Sequence, residues 1–77
     1  GLAIRERRLV TLACVALDDT QGPIQSHVYS ALKSGDVSID EMKELTLQFA
    51  AYYGWPKASY LAQVVDAQHA RVLDETA

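Results

Sequence analysis

The chain has 77 residues, of which 49% are hydrophobic and 22% are charged. This length is too short for two domains, so residues 1–77 are expected to form a single domain whose core is close to the lower size limit for independent stability. The composition is typical of a globular protein and not of a disordered one. No apolar run approaches the roughly 20 residues that span a bilayer, so a membrane is not an expected partner.

The charge balance and the cysteine count limit the possible partners, the redox chemistry and the cellular compartment. Seven Lys and Arg residues against ten Asp and Glu residues give a net charge of −3. The molecule as a whole therefore repels polyanions, and nucleic acid is not an expected partner. Cys14 is the only cysteine, which excludes an internal disulfide and a CxxC redox pair. These features fit a reducing compartment, and we expect a cytoplasmic protein.

The first predicted helix runs from about Ile4 to Leu17. Its apolar stretch LVTLACVAL follows a charged segment of good helix formers, and the chain offers no second strand-like run for pairing. Cys14 falls inside this stretch and is expected to be a small core residue. A helix that is apolar on nearly all sides must be enclosed all round, which three short companion helices cannot achieve. We therefore expect another subunit, or a segment upstream of Gly1, to cover it.

The second predicted helix follows a turn over residues 18–22. Pro23 suits the first helical position, and the helix should end near Ser34 with Gly35 as a left-handed cap. Its apolar face is predicted from residues at three- and four-residue spacing, which are Ile24, His27, Val28 and Ala31. This spacing places His27 on the face that turns inward.

The third and fourth helices have clear start signals. Ser38 and Glu41 have the spacing of a capping box, which predicts the start of the third helix, and Gly54 ends it. Trp55 is then expected in the cap position of the fourth helix, with Pro56 first in that helix and its end near Leu73. Four helices with short connections predict a compact all-α bundle.

The candidate chemistry centres on His27, because an imidazole can act as a general acid or base. The alternative is a partly buried structural histidine bonded to a backbone carbonyl. Among the arginines at the start of the first helix, Arg8 lies closest to the apolar run and is the preferred candidate for binding a carboxylate through its guanidinium group. The alternative for these arginines is a solvated helix face.

Aromatic side chains surround Gly54 and are candidates for the wall of a binding pocket. Tyr53 and Trp55 are assigned to substrate binding, with Tyr52 beside them. The alternative for this group is ordinary core or subunit contact. A metal site is not expected, because the two histidines have no HxxxH spacing and no Cys cluster accompanies them.

Three segments together resemble the carboxymuconolactone decarboxylase family in their order and spacing. They are IRERRLVTLA at residues 4–13, HVYSALKSG at residues 27–35 and YYGWPKA at residues 52–58. The similarity extends from about Leu2 to Ala70. It implies an all-helical fold like that of alkylhydroperoxidase D, assembled as a trimer or hexamer.

The peroxidase-like branch of this family uses a Glu, a CxxC pair and a His. Aligning the segments places these positions at Arg8, Thr20, Pro23 and His27, so only the histidine matches. Without a thiol pair a thiol–disulfide cycle cannot operate. The chain is therefore more similar to the decarboxylase branch, which lacks CxxC and keeps the histidine.

That resemblance implies a lyase that decarboxylates a muconolactone carboxylate without a cofactor. His27 would deliver a proton to carbon, while a role for Arg8 in holding a carboxylate is our own inference from the residues. The competing hypothesis is a catalytically silent family member that kept the helical assembly. A thiol peroxidase is the third choice.

Overall fold

The computed structural model describes residues 1–18 and 21–77, and no strand occurs in these two ranges. The helices are α1 (Ile4–Ala16), α2 (Gln21–Ser34), α3 (Ile39–Tyr53) and α4 (Trp55–Thr76). The prediction of an all-α bundle of four helices is thus confirmed. None of these helices is long and apolar enough to cross a membrane.

The core lies where α2 and α4 pack together, with α3 against α4 and α1 against α2. Its side chains come from all four helices and from the loop between α2 and α3. The largest fully buried ones are Leu12, Ile24, Met42, Val28, Val37 and Val65. Removal of this apolar surface from water is the main favourable contribution to folding.

Local signals fix the ends of α2 and α3 as predicted. The Glu41 backbone N–H donates to Ser38 Oγ at 3.1 Å, and the Ser38 backbone N–H donates to Glu41 Oε1 at 2.9 Å, which is a complete capping box. Gly35 has φ +81° and Gly54 has φ +93°, values that residues with a Cβ rarely adopt. Each glycine follows the last residue of a helix.

Two helix starts differ from the predictions. α2 begins at Gln21, so residues 21 and 22 are helical and not part of the predicted turn. Asp19 and Thr20, also in that predicted turn, lie outside the described residues. Pro23 is tolerated inside the first turn, because the first four N–H groups of a helix have no partner within it. α4 begins at Trp55, with Gly54 in the cap position and Pro56 second.

The first helix is the least enclosed. α1 ends at Ala16, one residue earlier than predicted, and Leu12 and Ala16 are its buried residues. Cys14 is exposed, so its prediction as a core residue is wrong. It follows Leu12 by two positions, about 200° around the helix, and therefore lies on the opposite side. Val10 and Leu17 are also exposed, which leaves an apolar stripe uncovered within the described chain.

The fourth helix continues past its predicted end, and a polar network holds this extension against α2. The Tyr29 hydroxyl donates to Glu75 Oε1 at 2.6 Å, and Lys33 Nζ donates to the same oxygen at 3.1 Å. The Arg71 guanidinium lies 3.8 Å above the centre of the Tyr29 ring, a cation–π arrangement. The hydrogen bond from Tyr29, followed by that from Lys33, holds the pKa of Glu75 below its ordinary value.

We expect the contribution of the Glu75 carboxylate to stability to disappear in acid. The folded pKa of Glu75 lies below the unfolded value of about 4.3, so its contribution is complete above that pH and is lost as the pH falls through the folded pKa. Urea unfolding should show Glu75→Gln to be less stable than the parent chain at pH 7, with a difference that shrinks in acid. Glu44→Gln is the control, because Glu44 forms no ion pair among the described residues. A difference that is independent of pH would contradict this prediction.

Candidate functional site

A pocket of about 240 Å³ lies between α1 and the middle of α2. Its lining combines two guanidinium groups, one imidazole, one hydroxyl and two aliphatic side chains. These residues are Ile4, Arg7, Arg8, Thr11, Leu12 and His27. The five contributed by α1 follow the spacing i, i+3, i+4, i+7 and i+8, which places them on one face of that helix.

His27 is the contribution of α2 to this pocket, and its side chain is exposed. The prediction that it lies on the inward face is wrong, because the buried side of α2 is formed by Ile24, Val28 and Ala31. His27 lies at the edge of that face, where α2 meets α1. Its ring makes no hydrogen bond within the described chain. This environment differs from the alternative of a buried histidine bonded to a backbone carbonyl, and it leaves the imidazole accessible to a ligand and to solvent.

Arg8 lines the same pocket but already has an acidic partner. Its Nε donates to Asp36 Oδ2 at 2.6 Å, and the two side chains are 29% and 33% exposed. Asp36 lies in the loop between α2 and α3. The carboxylate compensates the positive charge of Arg8, although the guanidinium has further N–H donors.

Arg7 is the cation of the pocket without a carboxylate partner in the described part of the chain. Its Nε donates to the Leu2 carbonyl oxygen at 3.2 Å, a contact that leaves its charge uncompensated. From the sequence, Arg8 is the preferred candidate because it lies closest to the apolar run. The spacing within α1 carries no information on Asp36, which pairs with Arg8 from 28 positions further along the chain.

Thr11 lines the pocket but was not among the site residues predicted from the sequence. It lies one helical turn after Arg7, so helical spacing from the arginines would have identified it. Its hydroxyl can both donate and accept a hydrogen bond. The pocket therefore holds a neutral polar group in addition to its cationic and apolar residues.

Tyr53 and Trp55 are not brought together with His27 and Arg8. Tyr53 is 56% exposed and lines a separate apolar groove of about 220 Å³, with Leu17 and Tyr52 among its neighbours there. Its ring stacks on that of Phe49 at a centroid distance of 5.4 Å. Trp55 is 63% exposed and lines a third cavity, between α3 and α4. The predicted aromatic wall is thus divided between two surfaces, both outside the His27 pocket.

Potential metal ligands do not cluster in the described ranges. No group of three or more His, Cys, Asp or Glu side chains is arranged there to hold a metal ion. His69 is half-buried on α4 and is not part of the His27 pocket. The groups that the pocket itself offers are suited to binding an anion and transferring a proton.

Comparison with known proteins identifies the family to which the chain belongs. The model of the carboxymuconolactone decarboxylase family matches residues 1–67, which include every residue that lines the His27 pocket. The chain belongs to this family. No curated protein and no solved structure gave a significant match.

Proposed function

We propose that the protein is an enzyme of this family that decarboxylates, or transfers a proton on, a carboxylated lactone or a related small molecule. The observation that carries the proposal is the presence of His27 and two arginines in one pocket. The imidazole supplies a proton donor, and the guanidinium group of Arg7, which has no acidic partner among the described residues, supplies recognition of a carboxylate. No cofactor is required in this scheme.

Electrostatics favour an anionic ligand at this pocket although the whole chain carries a net charge of −3. The positive charge of Arg7 is uncompensated, and Ile4 and Leu12 provide apolar contact for the body of a ligand. A small organic carboxylate has both of these features. We therefore assign to Arg7 a carboxylate of the ligand other than the one that leaves as CO₂, while Arg8 remains paired with Asp36.

The chemical step follows from these groups. The bond between the carboxyl carbon and the ring breaks, CO₂ leaves, and the electron pair moves into the conjugated lactone carbonyl. His27 then donates a proton to carbon, which restores a neutral ring, and takes up another proton from solvent. Hydrogen-bond donors near the developing oxyanion lower the barrier, and the Thr11 hydroxyl is a candidate for this role.

Self-assembly is the second part of the proposal. We infer a cytoplasmic homo-oligomer, a trimer or hexamer, in which another subunit covers the exposed apolar stripe of Val10, Cys14 and Leu17. Tyr52 and Tyr53 continue this apolar surface on α3 through the groove that they share with Leu17. Exposed apolar surfaces of this kind mark interaction sites in small proteins.

Removing the titratable group should reduce turnover while preserving the fold. We expect His27→Gln to lower kcat/KM for CO₂ release from carboxymuconolactone by about 10²-fold, the scale for a positioned general acid. Helicity should be retained, because His27 is exposed. Gln25→Ala, at an exposed position of the same helix, is the matched control. Full activity of His27→Gln would show that the proton comes from another group, and absence of CO₂ release by the parent chain would favour the catalytically silent alternative.

The thiol peroxidase alternative makes a separate prediction. Hydroperoxide turnover with a dithiol reductant should be absent, and Cys14→Ser should leave any decarboxylase activity intact, because a single thiol cannot form the intramolecular disulfide. Peroxidase activity that is lost in Cys14→Ser would support the alternative.

Assembly should depend on the exposed stripe of α1. Sedimentation velocity at micromolar concentration is expected to show a trimer or hexamer for the parent chain and smaller species for Val10→Glu, because a charge at an apolar interface must be desolvated. Gln63→Glu adds the same charge at an exposed position of α4 and serves as the control. A stable, folded monomer of the parent chain would refute the proposed assembly.

A further inference from the structure

We propose that Asp36 limits the His27 pocket to the recognition of a single carboxylate, which binds at Arg7. The inference rests on the proposed function in one respect, namely that the ligand is a small organic carboxylate. It adds a specificity-determining residue that does not itself line the pocket. The pairing of Arg8 with Asp36 is the observation that carries it.

The geometry of this pair favours a persistent interaction. Arg8 Nε and Asp36 Oδ2 are 2.6 Å apart, and both side chains are two-thirds or more buried. Such an ion pair is screened less by solvent than a fully exposed one. A ligand carboxylate that approaches Arg8 therefore competes with a carboxylate that is already in place.

The loop that carries Asp36 is itself anchored. The Asp36 backbone N–H donates to Ser34 Oγ at 3.2 Å, and the next residue, Val37, is buried and donates to the Ala31 carbonyl oxygen at 3.3 Å. These bonds hold Asp36 at the end of α2. The negative charge beside Arg8 is thus part of the folded chain.

Arg7 has the opposite environment. Its Nε contacts the neutral Leu2 carbonyl, and no acidic side chain pairs with it among the residues described. One guanidinium of the pocket is therefore available to a ligand anion, and the other is compensated. A second carboxylate on the same ligand gains little from Arg8.

This charge arrangement has a consequence for decarboxylation. A cation bound to the departing carboxylate would stabilise the ground state, because that carboxylate loses its charge as CO₂ forms. Arg7 can hold a carboxylate that stays on the product, whereas Asp36 prevents Arg8 from binding the one that leaves. Asp36 thereby separates anchoring of the substrate from the reacting bond.

The test compares two probes of equal chain length, butyrate with one carboxylate and succinate with two. Dissociation constants are measured by NMR titration at low ionic strength, with the shifts of pocket residues as the readout. The parent chain should bind both probes with similar affinity. Asp36→Asn should raise the preference for succinate about tenfold, the scale of one charge-assisted hydrogen bond.

Two further variants test whether a change in succinate preference comes from the loss of Asp36 itself or from a change in structure or net charge. Glu41→Gln removes one negative charge from the Arg5–Glu41 ion pair, which also joins α1 to the rest of the bundle, and should leave the succinate preference unchanged. The double variant Arg8→Gln/Asp36→Asn lacks the second guanidinium as well as Asp36, so it should not show the raised succinate preference of Asp36→Asn. A succinate preference in the double variant as high as that of Asp36→Asn would show that Arg8 is not the group that Asp36 restrains and would overturn the proposal.

An unchanged succinate preference in a folded Asp36→Asn chain would also overturn it, as would failure of the parent chain to bind either probe. If Asp36→Asn loses helicity, a raised succinate preference in the double variant overturns the proposal by itself. These binding results are independent of turnover. A chain that releases CO₂ but shows no change in selectivity would retain the proposed function and exclude this role for Asp36.

Discussion

The attachment of α1 to the bundle is the constraint on which the pocket depends. Leu12 and Ala16 are the buried residues of this helix, and Leu9 and Val15 pack half-buried against the core. Ion pairs supplement that packing: Arg8 binds Asp36 in the loop after α2, and Arg5 binds Glu41 at the start of α3. Because α1 supplies five of the six residues that line the pocket, its position determines whether the arginines and His27 share one site.

Local charge, more than the net charge, determines which ligand fits this site. The chain is acidic as a whole, yet the pocket contains two guanidinium groups and only one of them is compensated. At physiological ionic strength, charges further apart than about 8 Å are largely screened. A small anion inside the pocket therefore experiences Arg7 more strongly than the distant acidic residues of the surface.

This member of the carboxymuconolactone decarboxylase family combines a cationic pocket with a single cysteine. Arg8 lines the pocket, and the single cysteine of these 77 residues provides no thiol pair. The exposed Cys14 is not part of the pocket. The pocket offers two guanidinium groups and an imidazole, which are suited to an anion and a proton.

The sequence alone determined the number and class of the helices, because capping boxes, positive-φ glycines and hydrophobic spacing act over a few residues. Ser38, Glu41, Gly35 and Gly54 illustrate this. Spacing also singled out His27, but its exposure depends on the neighbouring helix, since a residue at the edge of an apolar face can turn either way. The compensation of Arg8 by Asp36 and the separation of Tyr53 from Trp55 depend on contacts between distant segments. Only the tertiary structure decided these features, because periodicity within one helix carries no information about which charge another segment brings to it.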